Sequence, residues 1–212
     1  MSDATDEVDP EDLQRQLSEI KGAMGLAEQY PGRARLWLVA GLLIGVAALL
    51  VQATFFFYET LGTTAYTAVW GGFCVVAVAT LWYVSDRLPE RDPPAGAPSW
   101  RVLYGSLAVF LFGVAGVAGD VARQVPGLDR ALLYFGLVIA TLGLALLVTG
   151  AVLTSYRVRR RDRLVFYVGG AWVLVYASWI PHVEILRYVG VGLFGVLFVL
   201  YATVAYVSLT RA

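Results

Sequence analysis

Hydrophobic residues in this chain come in long unbroken runs, without the period-two alternation of a half-buried strand. Between flanking charges the runs are Leu36–Tyr58 (23 residues), Thr60–Ser85 (26), Val102–Gly119 (18), Ala131–Tyr156 (26), Leu164–Val183 (20) and Tyr188–Thr210 (23). A helix needs roughly 20 apolar residues, at about 1.5 Å each, to cross hydrocarbon. A barrel strand is only about 9–11 residues long and alternates. The pattern predicts an all-α polytopic membrane protein, a bundle of six transmembrane helices. The predicted spans are about 36–58, 66–84, 100–119, 131–156, 164–180 and 188–209, inside a membrane domain of residues 33–211.

The segments outside the runs read differently. Residues 1–8 are acidic and polar, with too little apolar surface to fold. Residues 9–30 read as a short cytoplasmic amphipathic helix. Asp9 suits the N-cap, Pro10 the first position, and Glu11 and Asp12 the positive end of the helix dipole. Leu13, Leu17, Ile20 and Met24 follow at spacings that form one apolar seam. Such a helix either lies on the membrane or against the inner loops, or pairs with a second copy or a partner membrane protein. Gly22, Gly25 and Tyr30-Pro31-Gly32 weaken and end it. Four prolines at 89, 93, 94 and 98 break the connector between the second and third runs. The spans also pair as three hairpins, 36–87, 100–157 and 164–211.

Composition strengthens the membrane reading. The chain is 58% hydrophobic with mean hydropathy +0.68, against about 45–50% apolar in a soluble domain. Formal net charge is zero, yet eight of the 16 acids lie in the first 28 residues. Arginine outnumbers lysine 15 to 1. That ratio, with the acidic leader, is similar to the composition of prokaryotic membrane proteins from halophilic archaea and GC-rich bacteria. Cys74, the one cysteine, sits mid-run, where no intrachain disulfide can form and a small apolar filler is expected. The acidic leader is unlike a secretory signal.

Charge placement then predicts orientation. Arg157, Arg159, Arg160, Arg161 and Arg163 crowd the connector after the fourth run. Basic residues beside spans stay overwhelmingly on the cytoplasmic side. With that connector inside, alternation puts 13 basic residues in inner segments and 3 in outer ones (Arg123, Arg130 and Arg187). Both termini are then cytoplasmic in a multi-pass cell-membrane protein. Trp37, Trp82, Tyr83, Trp100, Tyr156, Tyr167 and Tyr206 fall on the arginine side, and Tyr58, Tyr66, Tyr134, Trp179 and Tyr188 on the other, as headgroup-level aromatics should. The arginines read as topology determinants touching anionic headgroups, not as a nucleic-acid site.

Small residues mark where helices approach in lipid, because no hydrophobic drive operates between them there. Gly136, Gly143 and Gly150 recur every seven residues, which holds one face toward a left-handed neighbour. Gly41 and Gly45 form GxxxG, for packing within the chain or for a homo-oligomer face. Gly113, Gly116 and Gly119, then Gly190, Gly192 and Gly195, offer further contacts.

Candidate chemistry is sparse. The charge-free runs lack the midplane carboxylate or amine of many proton- or ion-coupled carriers. Mid-run polar groups are Gln52, Cys74, Thr80, Ser106, Thr141, Thr149 and Ser178; the hydroxyls are expected to bond to their own helices and Gln52 across helices. Glu59, Asp120, His182 and Glu184 gather at span ends on the outer face. A metal-dependent hydrolase is conceivable from them, but a zinc site needs more imidazole or thiolate than one histidine provides. No phosphate loop, dinucleotide fingerprint or nucleophile elbow is present, so no cofactor is expected. The leading expectation is a non-enzymatic scaffold or accessory subunit with the lipid bilayer as its partner. A transporter or channel for a small neutral or hydrophobic solute comes second, and a hydrolase using Asp120, His182 and Glu184 third.

Overall fold

The charge-free runs form helices, which satisfy the backbone N–H and C=O groups within each run without help from water. The computed structural model describes residues 16, 33–87, 98–125, 127–156 and 160–210. Among these residues the architecture is all-α, with six long helices: α1 (Arg33–Phe56), α2 (Tyr58–Asp86), α3 (Trp100–Gln124), α4 (Gly127–Val152), α5 (Arg160–Trp179) and α6 (Glu184–Thr210). The acidic residues 1–8, the amphipathic helix 9–30 (Gln16 excepted), and Arg157 and Arg159 lie outside the described residues.

Five stretches, 34–56, 67–84, 100–124, 129–152 and 184–210, are long and apolar enough to cross a membrane. The fifth predicted span is the exception. α5 has 20 residues and opens on Arg160, Arg161, Asp162 and Arg163. Without those four it keeps 16 apolar-rich residues, about 24 Å of rise, short of a hydrocarbon core of about 30 Å. Arg160, Arg161 and Arg163, which read as loop, thus form the first turn of a helix, with Asp162 among them buried at the positive end of its dipole. Helix ends shift elsewhere too. Only Phe57 separates α1 from α2, α3 runs past Asp120, and α6 starts at Glu184.

In space the helices follow the order α2, α1, α6, α5, α4, α3. The tightest pairs are α1 with α6 and α4 with α5, so the strongest packing joins different predicted hairpins; α5 and α6, the third hairpin, meet less extensively. Each tight pair is closed by a reciprocal glycine contact. A Cβ on Gly45 would lie 2.9 Å from the Gly195 carbonyl, and one on Gly195 would lie 2.7 Å from the Gly45 carbonyl. Likewise a Cβ on Gly143 would lie 3.2 Å from the Gly170 carbonyl, and one on Gly170 2.7 Å from the Gly143 carbonyl. A Cβ at Gly41 would collide with that of Ala202, and one at Gly150 would lie 3.3 Å from Phe166 and Tyr167. Two expectations fail here. A Cβ on Gly136, or on Gly113 or Gly116, would meet nothing within 4 Å. The seven-residue repeat therefore packs closely at two of its three positions, and the GVAGVAG run of α3 makes no close glycine contact.

Between the glycine seams runs a column of rings. Trp37 meets Phe166 and Tyr201 edge-on at 5.0 and 5.9 Å between centroids. Trp172 contacts Tyr176, Phe194, Phe198 and Tyr201 at 5.8–6.3 Å, and Phe135 meets Phe194 at 6.2 Å. These separations are within the favourable range for aromatic pairs. Two phenols are anchored on backbone: Tyr176 donates to the Gly190 carbonyl at 2.6 Å, and Tyr201 donates to the Val165 carbonyl. α3 joins through Trp100, stacked on buried Tyr156 at 5.3 Å, and through the Tyr104–Thr149 hydroxyl bond at 3.0 Å. α2 and α3 lie at the two ends of the row, and their membrane-length windows hold no buried residue.

Candidate functional site

Trp37 meets Phe166 and Tyr201 at one end of the bundle, while residues near 52, 129, 181 and 187 meet at the other. The latter end, called here the Arg187 end, holds the sequence-derived candidates. Asp120 sits on the last turns of α3 and pairs with Arg123, one turn on, with both side chains more than 70% exposed. His182 lies exposed in the turn between α5 and α6, its backbone N–H bonded to the Trp179 carbonyl at 3.0 Å. Glu184 is exposed in the first turn of α6, where a carboxylate suits the helix dipole. The Glu59 side chain lies outside the described residues. Among the described residues no three His, Cys, Asp or Glu groups come together as a metal-binding set. Asp120 is instead engaged by its own helix.

The structure brings together a different set, which sequence reading missed. Asp129, in the first turn of α4, pairs with Arg187 of α6, each side chain 38% exposed. Arg130 turns back on the end of α3. It donates Nε to the Ala122 carbonyl at 2.7 Å and a terminal nitrogen toward the carbonyls of Arg123 and Val125 at 3.4 Å. Those are the unpaired carbonyls of a helix C-terminus, where a cation is favoured. The available signal was placement: Asp129-Arg130 follows Pro126-Gly127-Leu128, at the start of a helix.

Gln52 provides the other polar feature. Its carboxamide nitrogen donates to the Tyr188 carbonyl at 2.8 Å, and its oxygen accepts from the Gly192 N–H at 2.9 Å. The interhelical role expected for Gln52 is thus filled by backbone partners. Four of the five mid-run hydroxyls bond within their helices at 2.7–2.8 Å: Ser106 to Val102, Thr141 to Leu137, Thr149 to Ala145 and Ser178 to Val175. Cys74 is exposed on α2 rather than filling a packing gap.

Two cavities flank these groups. One of about 40 Å³, lined by Gln52, Phe55, Leu132, Phe135, Arg187 and Tyr188, is large enough for a water or two. The other, about 670 Å³, is a lateral groove bounded by α3, α4 and α5 and reaching Arg187 of α6. Gly136 lines it, which accounts for the open space beyond that glycine. The indole N–H groups of Trp37 and Trp172 are buried in the aromatic column with no hydrogen-bond partner among the described residues. Among the described residues the charged side chains sit near helix ends. No protein-family model, curated protein or solved structure matches this chain.

Proposed function

We propose that this chain is a non-enzymatic, multi-pass protein of the cell membrane, a scaffold or accessory subunit whose six helices all cross the bilayer with both termini in the cytoplasm. The short α5 spans by packing among its neighbours, since its buried face, Phe166, Gly169, Gly170, Val173 and Tyr176, looks onto protein. The single observation that carries the functional reading is the contrast between a ring-filled interior and bare flanks. Phe198 and Val173 are fully buried, whereas Val78 on α2 is 68% and Phe112 on α3 is 77% exposed. A bundle axis closed by aromatic rings supports a structural part over a polar conduit. Apolar helices laid on its two flanks offer surface to lipid and to neighbouring membrane proteins.

A photo-crosslinking amino acid at position 78 or 112, used in native membranes, tests this. A discrete protein adduct of constant size from one flank is the expected result. Lipid adducts alone at both positions would remove the scaffold reading. Solute uptake into proteoliposomes that depends on the protein would replace it with a carrier.

A further inference from the structure

We propose that the lateral groove bounded by α3, α4 and α5 binds one bilayer phospholipid, with an acyl chain along Gly136, Leu137, Ala140 and Leu174 and the phosphate at Arg130 and Arg187. The proposal rests on the reading that these helices lie in a bilayer.

The first argument is depth. The groove lining runs along α4 from Asp129 to Ala140. Those 11 steps rise about 16 Å, which is about half of a hydrocarbon core of roughly 30 Å. The groove is one leaflet deep, polar at its mouth and apolar at its floor. A lipid of that leaflet has the same polarity along its length.

The second is the lining. Val121, Leu133, Leu137, Ala140, Leu174 and Ala177 form its walls. Ser178 also lines it, but its hydroxyl is already donated to the Val175 carbonyl at 2.8 Å. Gly136 leaves the floor open, because a Cβ there would meet nothing within 4 Å. At about 670 Å³ the space is of ligand size. A void of this size in hydrocarbon fills with chains.

The third is charge at the mouth. Arg187 contributes a cation and Asp129 balances it. Arg130 is bonded to three α3 carbonyls and has no carboxylate partner among the described residues. Val121 and Val125, from the same last turns of α3, line the groove, so the Arg130 guanidinium sits beside its rim. Asp120 and Arg123 neutralise each other, and exposed Glu184 is not part of the lining. The lining itself holds Arg187 against Asp129, and Arg130, bonded to the carbonyl of the lining residue Val125, adds a second guanidinium at its edge. Guanidinium forks match phosphate oxygens.

The test uses the full chain in phosphatidylcholine vesicles holding a trace of phosphatidylcholine with a diazirine on one acyl chain. After irradiation, adducts are mapped by mass spectrometry. Adducts are expected at Leu133, Leu137 and Leu174 in excess over Val109 and Phe112 on the exposed face of α3. Gly136→Trp should abolish that excess without lowering Tm, because the ring enters open space. Arg130→Gln should cut it about tenfold, the scale of one lost charge-assisted contact. Equal labelling of groove and flank, or an excess that survives Gly136→Trp, overturns the site. A diazirine-bearing alkane that labels the groove as well as the phospholipid does overturns the role of the phosphate. Resistance to carbonate extraction, measured in parallel, reads membrane embedding alone and separates failure of that premise from failure of the site.

Discussion

Gly192 of α6 donates its backbone N–H to the side-chain oxygen of Gln52 on α1, across 140 residues of chain. The Gln52 nitrogen in turn donates to Tyr188 O, the carbonyl four residues before Gly192 and its ordinary α-helical partner. One side-chain amide therefore engages both ends of a single helical turn. The glycine makes this approach feasible, since a Cβ on it would lie 3.0 Å from Gln52 Cγ. Hydrogen bonds between helices in lipid average about 0.6 kcal/mol and reach about 1.7. Gln52→Leu, which removes two, should cost about 1–2 kcal/mol. A reversible unfolding titration in mixed micelles measures it, and no change in midpoint would show the clip to be energetically idle. Gly192→Ala should be costly with Gln52 in place and cheaper in a Gln52→Ala background, where the opposing Cγ is gone, a coupling that a double-mutant cycle reads directly.

The glycine seams make a sharper prediction. Gly45→Leu and Gly143→Leu each place a branched side chain on a facing backbone. Gly45 faces Gly195, and Gly143 faces Gly170 and Leu174. A carbonyl cannot move aside as a flexible side chain can, so the helices must separate and lose their mutual dispersion contacts. The cost should reach or exceed the roughly 1–3 kcal/mol typical of overpacking. Gly136→Leu, from the same seven-residue repeat, should be close to neutral. Equal Tm losses at 136 and 143 would contradict the geometry.

Much of this fold was legible because long uncharged apolar runs leave a chain few options. Uninterrupted apolar runs had to become helices, and the described runs did, with ends displaced by a few residues. The displacements have local causes. Arg160, Arg161 and Arg163 read as loop by charge, but arginine is a good helix former and begins α5 a turn early. Glycine spacing marked small faces without showing what lay opposite them. Gly143 found Leu174 and Gly170, while Gly136 found a groove, and nothing in a seven-residue repeat separates the two. The order of helices was least visible. Short connectors suggested hairpins, yet α1 packs hardest on α6, a choice made by side-chain fit between distant segments. The Asp129–Arg187 pair was overlooked for the same reason, since its partners are 58 residues apart.

Orientation can be tested without purification. With Cys74→Ala as background, Arg160→Cys and Arg123→Cys put single thiols at opposite ends of the bundle. The positive-inside count predicts that an impermeant maleimide on intact cells labels position 123 and spares 160 until the membrane is permeabilised. The reverse pattern would invert the proposed topology, and labelling at both would break the alternation.

The last prediction separates the polar groups at the Arg187 end by burial. Asp120 and Arg123 form an exposed i,i+3 pair, and such pairs contribute about 0–1 kcal/mol because solvent screens them. His182 and Glu184 are exposed as well. Asp120→Ala, His182→Ala and Glu184→Ala should therefore each leave stability within about 0.5–1 kcal/mol of the parent. Asp129→Ala should cost more, on the order of 1–2 kcal/mol, because it leaves a half-buried Arg187 facing an apolar groove and cuts a tie between α4 and α6. Thermal unfolding of the four variants ranks them. A second scan of the parent with added zinc bears on the hydrolase alternative. A site bound at 100 times its Kd would add about 2.7 kcal/mol to the native state. The expected result is no shift, because Asp120 is held by Arg123 and no cluster of three ligands forms among the described residues. A zinc-dependent rise that His182→Ala abolishes would show that Asp120, His182 and Glu184 converge on a metal, and would turn the proposed scaffold into a candidate enzyme.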